Sequence, residues 1–189
     1  MTDEELVLHA GIDRNALREL FMRYETKLIR YVMSIRGFER GYAEEVVQDV
    51  FLKVWKNIKS FDTSKKFSSW IYAIAHNEAT SLFRKFRSRG LHNQVDILNH
   101  ESELTTSFGE ITEQFSVEER KNILEKALAE MPFKYKEVLI LRYIEDKSYE
   151  EISSIIKKPE GTVATLINRA KTSLKEALLK IAPNISHYA

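Results

Sequence analysis

The sequence predicts an all-α protein made of two small helical domains that are joined by a flexible acidic linker. Apolar residues recur every three or four positions over long segments, as on the buried face of an amphipathic helix. Only 6 Gly and 3 Pro occur among 189 residues. Charge also divides the chain: residues 1–90 hold 16 Lys and Arg against 12 Asp and Glu, residues 91–120 hold 1 against 7, and residues 121–189 hold 12 against 9.

We therefore expect one domain at residues 1–90, a linker at 91–115 and a second domain at 116–189. Helical periodicity is lost in the linker, where Asp, Glu, Ser, Thr and Asn are abundant. We expect at most a short ordered piece at 95–98 there, and a frayed tail after Pro183. The formal net charge of +1 is low for a free-standing nucleic-acid binder, which is usually strongly basic.

Two long helices are predicted at the start of the first domain. Residues 13–35 carry an apolar stripe, and Gly37 follows where a left-handed cap residue is expected. Residues 42–59 have an inward apolar face, and the opposite side shows polar residues around one leucine: Glu45, Gln48, Asp49, Leu52 and Lys56. A stray leucine on a solvated face is ordinary, so a docking site for a partner helix is the less favoured interpretation of this side taken alone.

A polar loop at 60–66 precedes a third helix that is predicted over residues 67–87. The end of this helix carries basic residues without any acid, at Arg84, Lys85, Arg87 and Arg89. Such a run is usually a solvated face, but beside aromatic residues it equally suits phosphate contacts next to stacked bases. Trp55 and Trp70 fall at or near inward positions, and we expect both in the core.

The second domain should hold four helices. Ser116 and Glu119 have capping-box spacing and open a helix to about Glu130. Pro132 stands where the next helix, running to about Ile144, would begin. Ser148 and Glu151 form a second capping box, and they open a short helix.

The short helix is followed by a longer one, so that the pair forms a helix-turn-helix. Pro159 and Gly161 are expected to break the chain between them. The longer helix runs from Gly161 to about Ile181, with one apolar side and one small polar side. In a helix-turn-helix the second helix enters the DNA major groove and presents its N-terminal residues to base edges. Spacing alone leaves an ordinary all-α helix pair equally open.

Neither a catalytic nor a cofactor-binding constellation is visible. There is no cysteine, the 5 His residues are scattered, and neither a glycine-rich phosphate loop nor a nucleophile elbow occurs. We expect no enzymatic activity, no cofactor and no metal. The sequence has neither a signal peptide nor an apolar run near 18 residues, so a cytoplasmic protein without membrane insertion is expected.

Four segments in order resemble the extracytoplasmic-function type of bacterial sigma factor, the minimal members of the sigma-70 family. They are residues 20–31, 43–55, 61–89 and 150–170. The resemblance implies a sigma factor that binds core RNA polymerase, directs it to specific promoters and helps open the DNA. It implies a region 2 domain for polymerase binding and minus-ten recognition, and a region 4 domain for minus-thirty-five recognition.

The same resemblance assigns roles to residues. The side of Glu45, Gln48, Asp49, Leu52 and Lys56 matches the family's core-polymerase-binding surface. The residues that match the minus-ten DNA segment are Phe61, Asp62, Lys65, Lys66, Phe67, Ser69, Tyr72, His76, Asn77, Arg84, Lys85 and Arg87. Those that match the minus-thirty-five reading helix are Thr162, Ala164, Thr165, Asn168, Arg169 and Thr172.

The chain departs from the family pattern after Gly-Thr-Val. The family often has a basic residue, Ser and another basic residue there, whereas this chain has Ala164, Thr165 and Leu166. We therefore predict a weaker grip on phosphates in region 4.

The partners implied by the resemblance are core RNA polymerase, promoter DNA as duplex and as melted single strand, and an anti-sigma factor. Two other functions stay open at this point. A stand-alone helix-turn-helix regulator would leave the Asp49 and Leu52 side unexplained, and an all-α interaction scaffold would leave both DNA-type surfaces as coincidences.

Overall fold

A computed structural model describes residues 1–88 and 116–183, and every regular segment in these two ranges is helical. The all-α prediction is therefore confirmed for the described residues, which belong to two compact units. The predicted linker at 91–115, its short piece at 95–98, the basic residue Arg89 and the tail after Pro183 lie outside the described residues.

Four helices pack together in the first unit. They are α1 (Asp3–Ala10), α2 (Arg14–Arg36), α3 (Arg40–Asn57) and α4 (Phe67–Ser88), with a 3₁₀ turn at Ile58–Ser60 after α3. Gly37 ends α2 with a φ of 66° and donates its backbone N–H to the Met33 carbonyl oxygen. This is the left-handed cap that the sequence predicts.

Helix α1 was not among the predicted elements. Thr2 accepts the Glu5 backbone N–H, and the Glu5 carboxylate accepts the Thr2 backbone N–H, so that both partners of a capping box are present. Leu6 and Val7 are buried in the same short helix. The Thr-x-x-Glu spacing was therefore the sequence signal for an additional helix.

The core of the first unit follows the predicted apolar stripes. Leu20 and Leu28 of α2 and Val50 of α3 are completely buried. Phe21 and Phe51 stack face to face across α2 and α3, with ring centroids 4.1 Å apart. Burying one large aliphatic side chain contributes roughly 1.5–3 kcal/mol, so these stripes fix the three long helices relative to one another.

The helices of residues 116–183 are α5 (Val117–Glu130), α6 (Phe133–Leu139), α7 (Tyr149–Ile156) and α8 (Glu160–Ile181), and α6 continues as a π-helical segment at Ile140–Ile144. All four predicted helices are thus present. Ser116 and Glu119 form the predicted capping box, and Ser148 and Glu151 exchange the two hydrogen bonds of the other. Helices α5 and α6 both pack on α8.

Candidate nucleic-acid and partner interfaces

Helix α3 presents one continuous exposed strip, which we call the α3 strip: Glu45, Gln48, Asp49, Leu52, Trp55 and Lys56. It exists because Val46, Val47, Val50 and Val54 take up the opposite side of the helix and are buried. All five residues that the resemblance assigns to polymerase binding are exposed. Leu52, the leucine of this side, is 52% exposed.

Trp55 corrects an expectation drawn from the sequence. It lies on the surface with 59% exposure and not in the core. Its sequence position carried the signal, because Trp55 is seven residues after Gln48 and three after Leu52, and such positions share one helix face. An indole and a leucine therefore stand together among charged side chains on the α3 strip.

Asp62 accepts two hydrogen bonds within the loop between α3 and α4. Its Oδ1 accepts the backbone N–H of Ser64 at 3.1 Å and the Ser64 hydroxyl at 2.7 Å. These hydrogen bonds, together with the charge of Lys65, lower the pKa of the Asp62 carboxyl below its ordinary value. The carboxylate is thus ionised over the neutral range and can accept both hydrogen bonds there.

Aromatic side chains flank this loop. The Phe61 ring lies 4.9 Å from the Trp70 ring and 5.9 Å from the Phe67 ring, measured between centroids. Phe61 and Trp70 are half-buried, whereas Phe67 is fully buried beneath them. Trp70 is therefore only partly a core residue, and its ring contacts Phe61 at the start of the polar loop.

The structure does not place every predicted minus-ten residue on the surface. Phe67, Ser69 and Tyr72 are buried, with Tyr72 only 1% exposed and its ring 5.1 Å from that of Tyr31. These three predicted residues therefore do not present their side chains on the surface of the free chain. The cause is packing: α4 contacts α1, α2 and α3, so its inward face is wider than a single stripe.

The remaining predicted residues of α4 form a separate outward row. His76 is half-exposed, and Asn77, Arg84, Lys85 and Arg87 are exposed. Lys85 and Arg87 lie in the last turn, where cations interact favourably with the helix dipole. Asn77 presents an amide that can both donate to and accept from a base edge.

The turn between α7 and α8 is shorter than predicted: it includes Pro159, as predicted, but not Gly161. Lys157 has a φ of 53°, and Pro159 is the N-cap of α8. The Ser153 hydroxyl donates to the Lys158 carbonyl oxygen at 2.6 Å and closes the turn. Gly161 lies inside α8 and not in the break. A Cβ added at Gly161 would meet nothing within 4 Å, so the free chain has no steric need for glycine there.

Helix α8 separates a buried side from an exposed side as predicted. Val163, Ile167, Ala170 and Leu174 are completely buried. The exposed side holds Thr162, Thr165, Asn168, Arg169 and Thr172, and Ala164 is half-buried beside it. The Thr165 hydroxyl donates to the Gly161 carbonyl oxygen at 2.9 Å, so it retains only acceptor capacity outward. Of these six residues, Asn168 and Arg169 are the two whose side chains carry several N–H donors.

Among residues 1–88 and 116–183, no group of three or more His, Asp or Glu side chains is arranged to hold a metal ion. In the same ranges, no helix has both the length and the apolar character needed to cross a bilayer.

Two family models match the chain. The model of Sigma-70 region 2 covers residues 20–89, and that of Sigma-70, region 4 covers residues 121–174. Among curated proteins, the ECF RNA polymerase sigma factor SigW of Bacillus subtilis is 30% identical over 172 residues, which are 88% of this chain and 90% of SigW. The ECF RNA polymerase sigma-E factor of Escherichia coli K12 is 30% identical over 180 residues, 92% of this chain and 93% of that protein.

Solved structures show the same fold. CnrH in complex with the cytosolic domain of CnrY superimposes with a TM-score of 0.69 at 21% identity, over 95% of this chain and 98% of that one. RpoE of Bartonella quintana in complex with the anti-sigma factor NepR gives a TM-score of 0.67 at 23% identity, over 87% and 97%.

Proposed function

The chain belongs to the ECF group of sigma-70 family RNA polymerase sigma factors, and from this premise we propose how its surfaces divide the work of initiation. As a sigma factor it directs RNA polymerase to promoters. In our proposal the domain at 1–90 binds core polymerase and the melted minus-ten strand, the linker spans 91–115, and the domain at 116–189 reads the minus-thirty-five duplex. Polymerase carries out all chemistry, in the cytoplasm, and the chain itself needs no cofactor.

The α3 strip is the proposed docking surface for core polymerase, and it is the observation that carries the proposal. Leu52 and Trp55 provide apolar anchors, and Gln48 and Asp49 surround them with polar groups. Protein interfaces commonly combine a few central apolar or aromatic anchors with a polar rim. A stand-alone DNA-binding regulator has no use for such a strip.

The loop at 61–66 and the exposed row on α4 form the proposed minus-ten surface. A base taken out of the stack costs a few kcal/mol, and the receiving protein must repay this. Stacking on an aromatic ring contributes roughly 1–3 kcal/mol per base, and the exposed portions of Phe61 and Trp70 offer that contact beside the loop. Arg84, Lys85 and Arg87 would contact phosphates, and Asn77 a base edge.

Helix α8 is the proposed minus-thirty-five reader. Asn168 pairs in a bidentate manner with adenine and Arg169 with guanine when their side chains reach the major groove. Ala164 and Leu166 replace residues that are often basic in the family, so phosphate contacts here should be few. Binding of each DNA element alone would then be weak, and joining both domains on polymerase would raise affinity through effective concentration.

An anti-sigma factor is a proposed further partner. CnrH and RpoE were solved with CnrY and with NepR, respectively, and both share the fold of this chain. Leu52 and Trp55 give such an inhibitor an exposed apolar target when polymerase is absent. The idea weakens if the purified chain is fully active with core polymerase and no inhibitor is recovered with it from its host.

The docking proposal is tested with the pair Asp49→Arg and Leu52→Ala, because reversal of one charge and loss of one anchor should abolish core-polymerase binding. The matched control is Glu25→Arg with Met22→Ala, two exposed residues of α2 at the same three-residue spacing. Circular dichroism should show both double variants folded. If the α3 variant bound core polymerase as tightly as the α2 control does, the proposed docking surface would be refuted. If the wild-type chain itself did not bind core polymerase, a stand-alone regulator would be favoured.

A further inference from the structure

Helix α1 supplies a cap to the start of α4. The Glu4 carboxylate oxygen Oε1 accepts the backbone N–H of Phe67 at 3.2 Å, across 63 residues of sequence. Phe67 is the first residue of α4. Lys66 precedes it, and a lysine side chain has no acceptor for such a bond. Because the first N–H groups of a helix lack intrahelical partners, a carboxylate from another helix stabilises this end.

Asp3, the neighbour of Glu4, fastens α1 to α2. Its Oδ1 accepts the Arg23 guanidinium at 2.8 Å, and its other carboxylate oxygen accepts the Tyr24 hydroxyl. Burial, and then the hydrogen bond to Asp3, raise the pKa of Tyr24, so its hydroxyl stays protonated and able to donate. The Tyr24 ring in turn packs edge-on against Phe67, with centroids 5.5 Å apart.

These contacts converge on Phe67. Phe67 closes the loop at 61–66, and its ring contacts Phe61 and Trp70, the two aromatic residues beside that loop. The backbone of Phe67 is held by Glu4 and its ring by Tyr24. The family model of region 2 begins at residue 20, so α1 lies outside the matched segment.

We propose that α1 is a positioning element for the strand-capturing loop, with Glu4 as the residue that acts on it. By capping α4, Glu4 fixes the loop and the Phe61 and Trp70 rings in the arrangement that receives an unstacked base. A loop already ordered before binding loses less conformational freedom when the strand arrives. This inference rests on the proposed minus-ten function of the loop.

The test compares Glu4→Ala, Glu4→Gln and the control Glu25→Ala, which removes an exposed carboxylate of α2. Each chain is assembled with core polymerase. The probe is the short single-stranded DNA that the wild-type holoenzyme enriches from a random pool. Loss of a helix cap costs about 1 kcal/mol, so Glu4→Ala should bind this DNA about fivefold more weakly. Glu4→Gln keeps an acceptor and should recover part of the affinity.

Two further readouts separate positioning from general damage. Affinity for core polymerase should be unchanged in Glu4→Ala, and hydrogen exchange should rise in the loop and at the Phe67 amide but not in α8. Equal DNA binding by Glu4→Ala and Glu25→Ala would overturn the proposal, and so would equal losses of DNA and polymerase binding. If the wild-type holoenzyme enriches no single-stranded DNA, the minus-ten function itself fails and the inference falls with it.

Discussion

Replacement of Trp55 by Ala should weaken core-polymerase binding strongly while leaving the fold almost untouched. Trp55 is 59% exposed, so the free chain gains little from its indole. Exposed positions of this kind usually change the free energy of unfolding by less than about 0.5 kcal/mol. The same exposure means that docking can cover most of the ring.

The magnitude follows from the area available. A tryptophan presents up to about 250 Å², of which 59% is roughly 150 Å², and burying this at ~25 cal/mol per Å² gives an upper value near 4 kcal/mol. Because area converts incompletely into affinity at protein interfaces, we expect about 2–4 kcal/mol, with 2 kcal/mol as the threshold of a hot spot. A loss of 2 kcal/mol weakens Kd by about 30-fold.

The assay is a titration of labelled chain with core polymerase, accompanied by denaturant unfolding of each free variant. Met22→Ala is the matched control, because Met22 is 66% exposed but belongs to α2. We expect the control to bind as the wild type does. A Kd for Trp55→Ala within about threefold of that of the control would show that the anchor reasoning is wrong, and a large drop in unfolding free energy would show that the indole is structural.

Three further predictions concern the DNA surfaces. Asn168→Ala should reduce discrimination among minus-thirty-five sequences by ~1–3 kcal/mol for a lost bidentate contact, measured by competition binding of the holoenzyme; equal losses on all sequences would mean that Asn168 touches only phosphate. Ala164→Lys adds one phosphate contact and should steepen the slope of log affinity against log salt by about 0.9, and an unchanged slope would place residue 164 away from the backbone. The Asp62 carboxyl should titrate by NMR below the ordinary value of about 3.9. Because the pKa of Asp62 is lower in the folded chain than in the unfolded chain, the ionised carboxylate stabilises the folded turn. This stabilisation is fully present above the unfolded-state pKa and is lost as the pH falls through the folded-state pKa. Ser64→Ala should move that midpoint upward, and identical titrations in the two chains would contradict the hydrogen-bonded turn.

Local patterns predicted most of the helices because apolar periodicity and helix caps are local signals. The stripe of α2 ends at Gly37, and the capping boxes at Ser116 and Ser148 mark helix starts that the structure confirms. Helix α1 escaped prediction because it shows only part of an apolar stripe, although the capping-box spacing of Thr2 and Glu5 marked its start. Such a helix depends on tertiary bonds to Arg23 and Phe67, which no local pattern contains.

The surfaces were predicted unevenly for a related reason. Helix α8 packs on one side only in its reading segment, so the exposed face of Asn168 and Arg169 could be derived from the periodicity. Helix α4 is contacted by three other helices, so more of its surface is buried than one apolar stripe would cover. The match of Tyr72 to a family motif therefore did not indicate that this side chain is buried. Trp55 was misplaced because it directly follows the inward Val54 and was expected near the same face, although its spacing from Gln48 indicated the exposed strip.

Run-off transcription tests the central claim most directly. Purified bacterial core polymerase would transcribe a fragmented library of the host's promoters with and without this chain. We predict transcripts with discrete starts only when the chain is present, and the sequences upstream of those starts should share two elements, one for each domain. The absence of new starts, together with no detectable binding of the chain to core polymerase, would contradict its assignment as a promoter-directing subunit.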